Sequence, residues 1–425
     1  MKFISDLYIL MKSFFLKKGG HTFFFRIFGM LFNFATTLYI TNIYGSSNYG
    51  LFALSLTILQ LMVMFFSLGI PAAFISFTGG FKSVDLNKGL LVKCYKLVSY
   101  VSIIPVILLY FTSNQIALFF DKVELAGFLK VVFLSLIFLV FHEINSNYFL
   151  SVKKFFWFGI AYFVIPNIIF FVSLLIFKSY ELPDYFIMLS YSLSILLTVL
   201  FSLFLIFKER KYLKVSIRGK EILNRSLPMM ASGFFLVLLN WTDVLMLGKY
   251  ETERNIGIYN AAFKIGYLTL FFVMAMGSII LADISEKYRN KDMGGLHLVI
   301  KKATQITAIL TLPVAAVILL FNGRLLSLFG PEFIEGKIAL IYITLGALYN
   351  ALTGNVDQLL NMTDNQKTVR NIMFAGFVVN VLLNLVLIPN YGIEGAALSS
   401  LIVNVIVNTI FVIIIKKKFG FYTFI

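Results

Sequence analysis

The chain has 425 residues, 60% of them hydrophobic and only 13% charged, with a formal net charge of +16 and a mean hydropathy of +0.90. A soluble domain carries roughly 25% charged residues; half that number cannot cover a water-facing surface, so lipid is the solvent for most of this chain and a soluble catalytic domain is excluded. Cys94 is the single cysteine and the three histidines (His21, His142, His297) lie far apart, which excludes an intramolecular disulfide and argues against a Cys- or His-ligated metal site. No cofactor is expected.

A bilayer-crossing helix needs about 20 mostly apolar residues. Residues 1–21 fall short of that. They scatter Lys2, Lys12, Lys17 and Lys18 around short apolar runs, with no small-residue cleavage site, and read as a cytoplasmic interfacial segment. Spans follow near 22–42, 51–77, 90–112, 126–150, 155–177 and 185–207. The first carries Arg26, with Asn33 and Thr37 on the same helical face: either a cavity-lining polar stripe, or an arginine reaching back to the headgroups. Lys93 and Lys96 lie near the inner end of the third span. His142 and Glu143 lie in the inner third of the fourth, where Glu143 is a partner for either lysine or a proton or cation site.

A basic linker, 208–226, separates this first six-helix bundle (22–207) from a second (227–415), which is followed by a cytoplasmic tail, 416–425. The second set of spans lies near 227–248, 257–281, 303–321, 337–360, 369–388 and 394–415. Asp243 is placed near the outer end of the seventh span. Lys264 lies about two turns into the eighth, one turn after Asn260. These two charges fall at similar depth, as an ion pair or as a cation offered to an anionic substrate with Asp243 holding it or titrating. Each intramembrane charge costs roughly 2.5–3.5 kcal/mol on insertion scales and so calls for a partner or a function. Asp357, in the tenth span, reads as an interfacial carboxylate or an ion site. Asn380/Asn384 and Asn404/Asn408 repeat at i,i+4, a spacing suited to holding helices together or to lining a groove.

The loops test this count. With the in-span charges left aside, 25 lysines and arginines fall on one set of alternating segments. Only six (Lys122, Lys178, Lys249, Arg254, Arg324, Lys337) fall on the other. Positive residues stay cytoplasmic, which puts both termini inside and accounts for most of the +16 without nucleic acid. The halves also resemble each other weakly. Gly50-Leu51-Phe52-Ala53 recurs as Gly257-Ile258-Tyr259-Asn260, and Ile116 to Phe120 recurs as Leu325 to Phe329, at offsets of 207 and 209 residues. Six spans per half makes the repeat parallel, an arrangement known among transporters. No complete nucleotide-binding, serine-hydrolase or zinc-hydrolase motif occurs.

Four segments carry a family resemblance: Phe25 to Gly79, with Ile43-Tyr44-Gly45 and Ser67-Leu68-Gly69-Ile70-Pro71; Leu227-Pro228 through Asn240-x2-Asp243 to Gly257-Ile258-Tyr259; Leu328-Phe329-Gly330-Pro331; and Ile388-Pro389-Asn390-Tyr391-Gly392 through Ala397. In order and spacing they resemble the polysaccharide-transporter branch of the multidrug/oligosaccharidyl-lipid/polysaccharide (MOP) exporter superfamily, and most of all the O-antigen repeat-unit flippases. The resemblance implies an all-α polytopic membrane protein of about twelve helices in two pseudo-symmetric six-helix bundles. It implies a transporter rather than an enzyme, working by alternating access in a bacterial inner membrane during polysaccharide and lipopolysaccharide biosynthesis. The implied substrate is an undecaprenyl-diphosphate-linked oligosaccharide taken from the cytoplasmic to the outer leaflet. Other implied partners are membrane lipids, H+ or Na+, and polysaccharide polymerase and chain-length proteins. Arg26 and Lys264, with Asn33 and Asn260, are the positions that suit a cationic substrate cavity; Asp243, Glu143 and Asp357 are candidates for ion coupling. The alternatives are a cation-coupled multidrug exporter of the same superfamily and an intramembrane glycosyl-transfer enzyme.

Overall fold

The computed structural model describes residues 20–78, 84–208 and 212–424. The interfacial segment expected over 1–21 lies, apart from its last two residues, outside these. Among the described residues every regular element is a helix and there is no strand. This is what lipid demands of an open chain, because a helix satisfies its backbone hydrogen bonds internally. Among the described residues eight helices are long and apolar enough to cross a bilayer, or nine with one pair bent by 46°. The expected count of twelve is not reached on that measure. Part of the reason is that two pairs of expected spans run on as single helical stretches, interrupted only at Gly45 and Gly392.

Contacts divide the chain into two compact units, Met1–Phe234 and Phe235–Ile425. In the first, α1 (Gly20–Phe66) leads through a turn at Ser67–Gly69 into α2 (Ile70–Thr78). There follow α3 (Val84–Phe111), the short α4 (Ser113–Phe119), and α5 (Leu125–Leu134) bent against α6 (Leu136–Ser151). Next come α7 (Phe155–Ser179) and α8 (Phe186–Phe207). A five-residue π-helical stretch, Ile160–Val164, interrupts α7. Where α1 crosses it the backbones approach so closely that a Cβ on Gly29 would lie 2.4 Å from the Phe163 carbonyl oxygen.

The basic linker belongs to this unit. Leu213 N donates to Asp85 O at 3.0 Å, and Lys93 Nζ donates to Ile217 O, so Lys93 is spent on the linker rather than on Glu143. Contact is tightest at Gly89, where a Cβ would lie 1.8 Å from the Leu213 carbonyl oxygen. That oxygen is backbone and cannot swing aside. Gly89→Ala is therefore expected to undock the linker at a cost of about 1–3 kcal/mol, the range for forcing extra volume into a packed site. Limited proteolysis across 208–218 should speed up in the variant.

The helix α9 (Gly219–Tyr250) spans the boundary between the units. The second unit continues with α10 (Glu253–Tyr267), a 3-10 turn, α11 (Phe271–Arg289), α12 (Met293–Leu320) and the short α13 (Asn322–Ser327). A further 3-10 turn, Pro331–Gly336, leads to α14 (Lys337–Thr353), α15 (Val356–Met362) and α16 (Gln366–Phe419). The Thr252 hydroxyl caps α10 by accepting from Asn255 N, and the Asp292 carboxylate caps α12 by accepting from Gly295 N; each satisfies a backbone donor that the helix start leaves unpaired. Packing of α14 along α16 is the most extensive in the chain.

Candidate functional site: a buried carboxylate and its cavity

Asp243 lies near the end of α9 with 4% of its surface exposed. Four neutral groups converge on it. Tyr259 Oη of α10 donates to Oδ2 at 2.7 Å, and Ser400 Oγ of α16 donates to the same oxygen. Asn384 Nδ2 donates to Oδ1 at 2.8 Å and Asn380 Nδ2 at 3.3 Å. The two asparagines are also joined to each other at 3.1 Å, and Asn380 is held by Ser399 across the break at Gly392. Gly392 lets the two arms of α16 carry Asn380/Asn384 and Ser399/Ser400 to the same point. All of these residues belong to the second unit.

The consequence is electrostatic. Lys264 is not among the partners of Asp243, so the expected ion pair between them is not formed. The carboxylate is fully hydrogen-bonded, yet among the described residues no cation pairs with it. Taking an ion out of water costs several kcal/mol even after relaxation, and hydrogen bonds from neutral donors offset only part of that. A proton or a bound cation removes the remainder. The oxygens at hand are of the kind that hard cations prefer: two from Asp243 and the hydroxyls of Ser400 and Tyr259. Asn384 turns its amide nitrogen to the carboxylate and leaves its buried amide oxygen without a donor.

The Asp243 cluster opens on a cavity of about 360 Å³ within the second unit. Its polar wall includes Asn380, Ser400, Asn404, Asn408, Asn350 and Asp357. This volume is at the low end for ligand pockets. It suits an ion with its water far better than a lipid-linked oligosaccharide.

The other expected site residues divide between the units. Asn260 donates its amide to Ile256 O at 2.9 Å, within its own helix, and Lys264 follows one turn later on α10, half-buried. In the first unit Arg26 is half-buried on α1, and Asn33 faces Asn167 of α7 at 3.5 Å. Glu143 on α6 is paired with neither Lys93 nor Lys96; it and Arg26 both lie within electrostatic range of the Tyr162 hydroxyl on the π-helical stretch. His142 stacks on the Tyr162 ring, 5.4 Å between centroids. Arg26 and Glu143 thus share a neighbourhood that their sequence separation hides. Asp357 opens α15 immediately after a helix break at Gly354–Asn355. Tyr259 and Ser400 were missed as site residues. The usable signal was a hydroxyl at the depth of Asp243 on each flanking helix.

The family-level comparison agrees with this architecture. The chain belongs to the polysaccharide biosynthesis protein family, whose profile matches residues 15–282; the MatE family profile matches residues 228–386. The fold is that of the MOP superfamily. A structure of an inward-facing multidrug resistance MATE family transporter superposes with a TM-score of 0.79 at 14% identity, covering 92% of this chain and 94% of that one. The lipid II flippase MurJ in an inward closed conformation superposes with a TM-score of 0.78 at 18% identity, covering 94% and 87%. In sequence the chain is similar to the probable low-salt glycan biosynthesis flippase Agl15 of Haloferax volcanii, 23% identical over 193 residues. That alignment covers 45% of this chain and 41% of Agl15, so the chain matches less than half the length of that relative.

Proposed function

We propose that the chain is a flippase that moves a polyprenyl-diphosphate-linked oligosaccharide from the cytoplasmic to the outer leaflet by alternating access, coupled to a monovalent cation bound at Asp243. Its termini and basic linker then face the cytoplasm, as the lysine and arginine bias indicates. The observation that carries the coupling is the buried carboxylate with four neutral partners and, among the described residues, no paired cation. One carboxylate among neutral oxygens balances a single positive charge, which favours Na+ over a divalent ion. The hydroxyl oxygens of Ser400 and Tyr259 beside the carboxylate favour a metal cation, which takes several ligands, over a proton, which takes one. Family membership and the likeness to Agl15 support the glycan-lipid substrate.

An unassisted diphosphate headgroup would carry its charge through hydrocarbon, the barrier such a protein removes. Arg26 and Lys264 are the cations within the spans that suit a diphosphate, and Asn33 and Asn260 lie on their helices. Arg26→Ala and Lys264→Ala are each expected to cut export of the surface polysaccharide roughly tenfold or more, the loss of about 1.4 kcal/mol or more in binding a charged headgroup, while the protein still inserts. Normal export in both variants would remove the cationic site from the account. The MatE match favours a second reading, a multidrug exporter; a deletion strain that becomes drug-sensitive and keeps its surface polysaccharide would establish it.

A further inference from the structure

Asp243 and Asp357 both line the cavity. In the same lining α16 presents Ser400, Asn404 and Asn408 at i, i+4 and i+8, a single face about 12 Å long at 1.5 Å per residue. Each amide is tied back to its own helix: Asn404 Nδ2 donates to Ser400 O and Asn408 Nδ2 to Asn404 O, both at 2.9 Å. One N–H of each amide is used in this way, and the remaining amide groups of Asn404 and Asn408 are part of the polar lining of the cavity. Thr353 Oγ1 reaches Asn408 Oδ1 at 3.5 Å and marks where the stripe meets the end of α14. There the helix breaks at Gly354, and Asn355 and Gln358 flank Asp357. The side-chain oxygens of both, Asn355 Oδ1 and Gln358 Oε1, are buried and accept no hydrogen bond from the protein, although Asn355 Nδ2 donates to Val273 O at 2.9 Å. Buried acceptors without donors are uncommon and call for a water or an ion.

We propose that this stripe is the release route of the coupling cation, which leaves Asp243 past Ser400, Asn404 and Asn408 and exits at Asp357, flanked by the free oxygens of Asn355 and Gln358. The inference rests on the reading of Asp243 as the coupling site. A helix break that exposes polar oxygens to a cavity is the arrangement by which discontinuous helices handle ions in membranes. In the span reading Asp357 falls toward the cytoplasmic end of the tenth span and Asp243 toward the outer end of the seventh. An ion admitted from outside at Asp243 would complete its crossing along this wall. Asn404 and Asn408 then govern the rate of release rather than the affinity of the site.

The test replaces the buried Cys94 by serine and introduces Asn404→Cys, Asn408→Cys and, as a control on the same helix, Ile406→Cys, whose native side chain is 40% exposed on the outside of the unit. Full-length protein in sealed vesicles of known orientation is treated with Ag+, a thiol-reactive monovalent cation, from either side. Na+-dependent thermal stabilisation and Na+-driven turnover are both read. The expected result is that Ag+ from the cytoplasmic side stops turnover in the variants at 404 and 408 but not at 406. Na+-dependent stabilisation before treatment shows that each variant is folded and binds Na+, and each variant's own turnover before treatment is the reference for its loss. If Ag+ fails at 404 and 408, or acts only from the outer side, in protein that is still stabilised by Na+, the route is wrong and the Asp243 site stands. If the parent protein is not stabilised by Na+ at all, the Asp243 reading falls and the route with it. The two reporting positions guard against one of them failing to fold.

Discussion

Asp243→Asn is expected to abolish cation-driven flipping and leave the protein folded. The substitution keeps the shape and removes the charge on which the four neutral groups converge. Breaking a buried charge pair by removing one partner typically costs 3–5 kcal/mol, so cation affinity should fall roughly 100-fold or more. The effect on stability has the opposite sign to the usual core mutation. Without Na+ the native carboxylate is an uncompensated buried charge, and the asparagine is not; the variant should melt no lower than the native protein. With Na+ only the native protein should gain, by about 2.7 kcal/mol at a concentration 100 times its dissociation constant. Melting curves with and without Na+ measure both arms. A variant that still responds to Na+ as the parent does would remove Asp243 from the ion site. A variant that melts far lower without Na+ would make the carboxylate a structural acceptor for Tyr259, Ser400, Asn380 and Asn384 and nothing more.

Gly354→Ala is the substitution with the largest expected effect on the fold. Two independent obstacles meet at this residue. Its φ of 80° with ψ of −167° lies in a region that is essentially closed to residues with a Cβ, at a cost of order 1–3 kcal/mol. A Cβ would also lie 2.1 Å from Thr304 Oγ1 and 3.1 Å from Thr304 Cβ. Thr304 is fully buried and cannot yield freely, and overpacking of this kind costs about 1–3 kcal/mol. Together the penalty is about 2–6 kcal/mol, enough to straighten or displace the α14–α15 break. Gly354→Ala combined with Thr304→Ala should recover the steric part and keep the backbone part. Denaturation of the single and double variants separates the two contributions. Equal stability of Gly354→Ala and the parent would show that the break at Gly354 adopts another conformation.

Much of the fold was legible because lipid imposes a simple rule. Long apolar runs must be helical, and the positive residues between them report on sidedness. The breaks were legible too: the resemblance segments Ile43-Tyr44-Gly45 and Asn390-Tyr391-Gly392 coincide with the two interruptions of the long helices. Less visible was where a loop would be helical. The stretch around Gly45 reads as a polar turn, yet only Gly45 itself leaves the helix. The basic linker reads as a charged break between the two bundles. Its docking includes backbone contacts with Asp85 and Gly89, for which side-chain chemistry gives no signal.

The site was half legible. An intramembrane carboxylate is conspicuous, so Asp243 stood out, and the i,i+4 asparagines were noticed as packing amides. What one dimension could not supply was that Asn380, Asn384, Tyr259 and Ser400 all converge on Asp243. Depth along a span was enough to bring Lys264 level with Asp243 but could not tell which face each presents. Pairing charges by depth therefore left an ion pair open beside a substrate-facing cation, and the fold places four neutral donors on Asp243. In the same way Glu143 was matched to the lysines of the neighbouring span, and the structure spends Lys93 on the linker carbonyl of Ile217.

The central claim is that this chain carries a lipid-linked oligosaccharide across the bilayer. The most direct measurement reconstitutes the purified protein into liposomes with a fluorescent polyprenyl-diphosphate oligosaccharide and follows its leaflet with an impermeant quencher under an imposed Na+ gradient. The account predicts protein-dependent exchange between leaflets that quickens with the gradient, is lost in Asp243→Asn and slows in Lys264→Ala. Folded, Na+-responsive protein that leaves the probe in its original leaflet under every imposed gradient would contradict it.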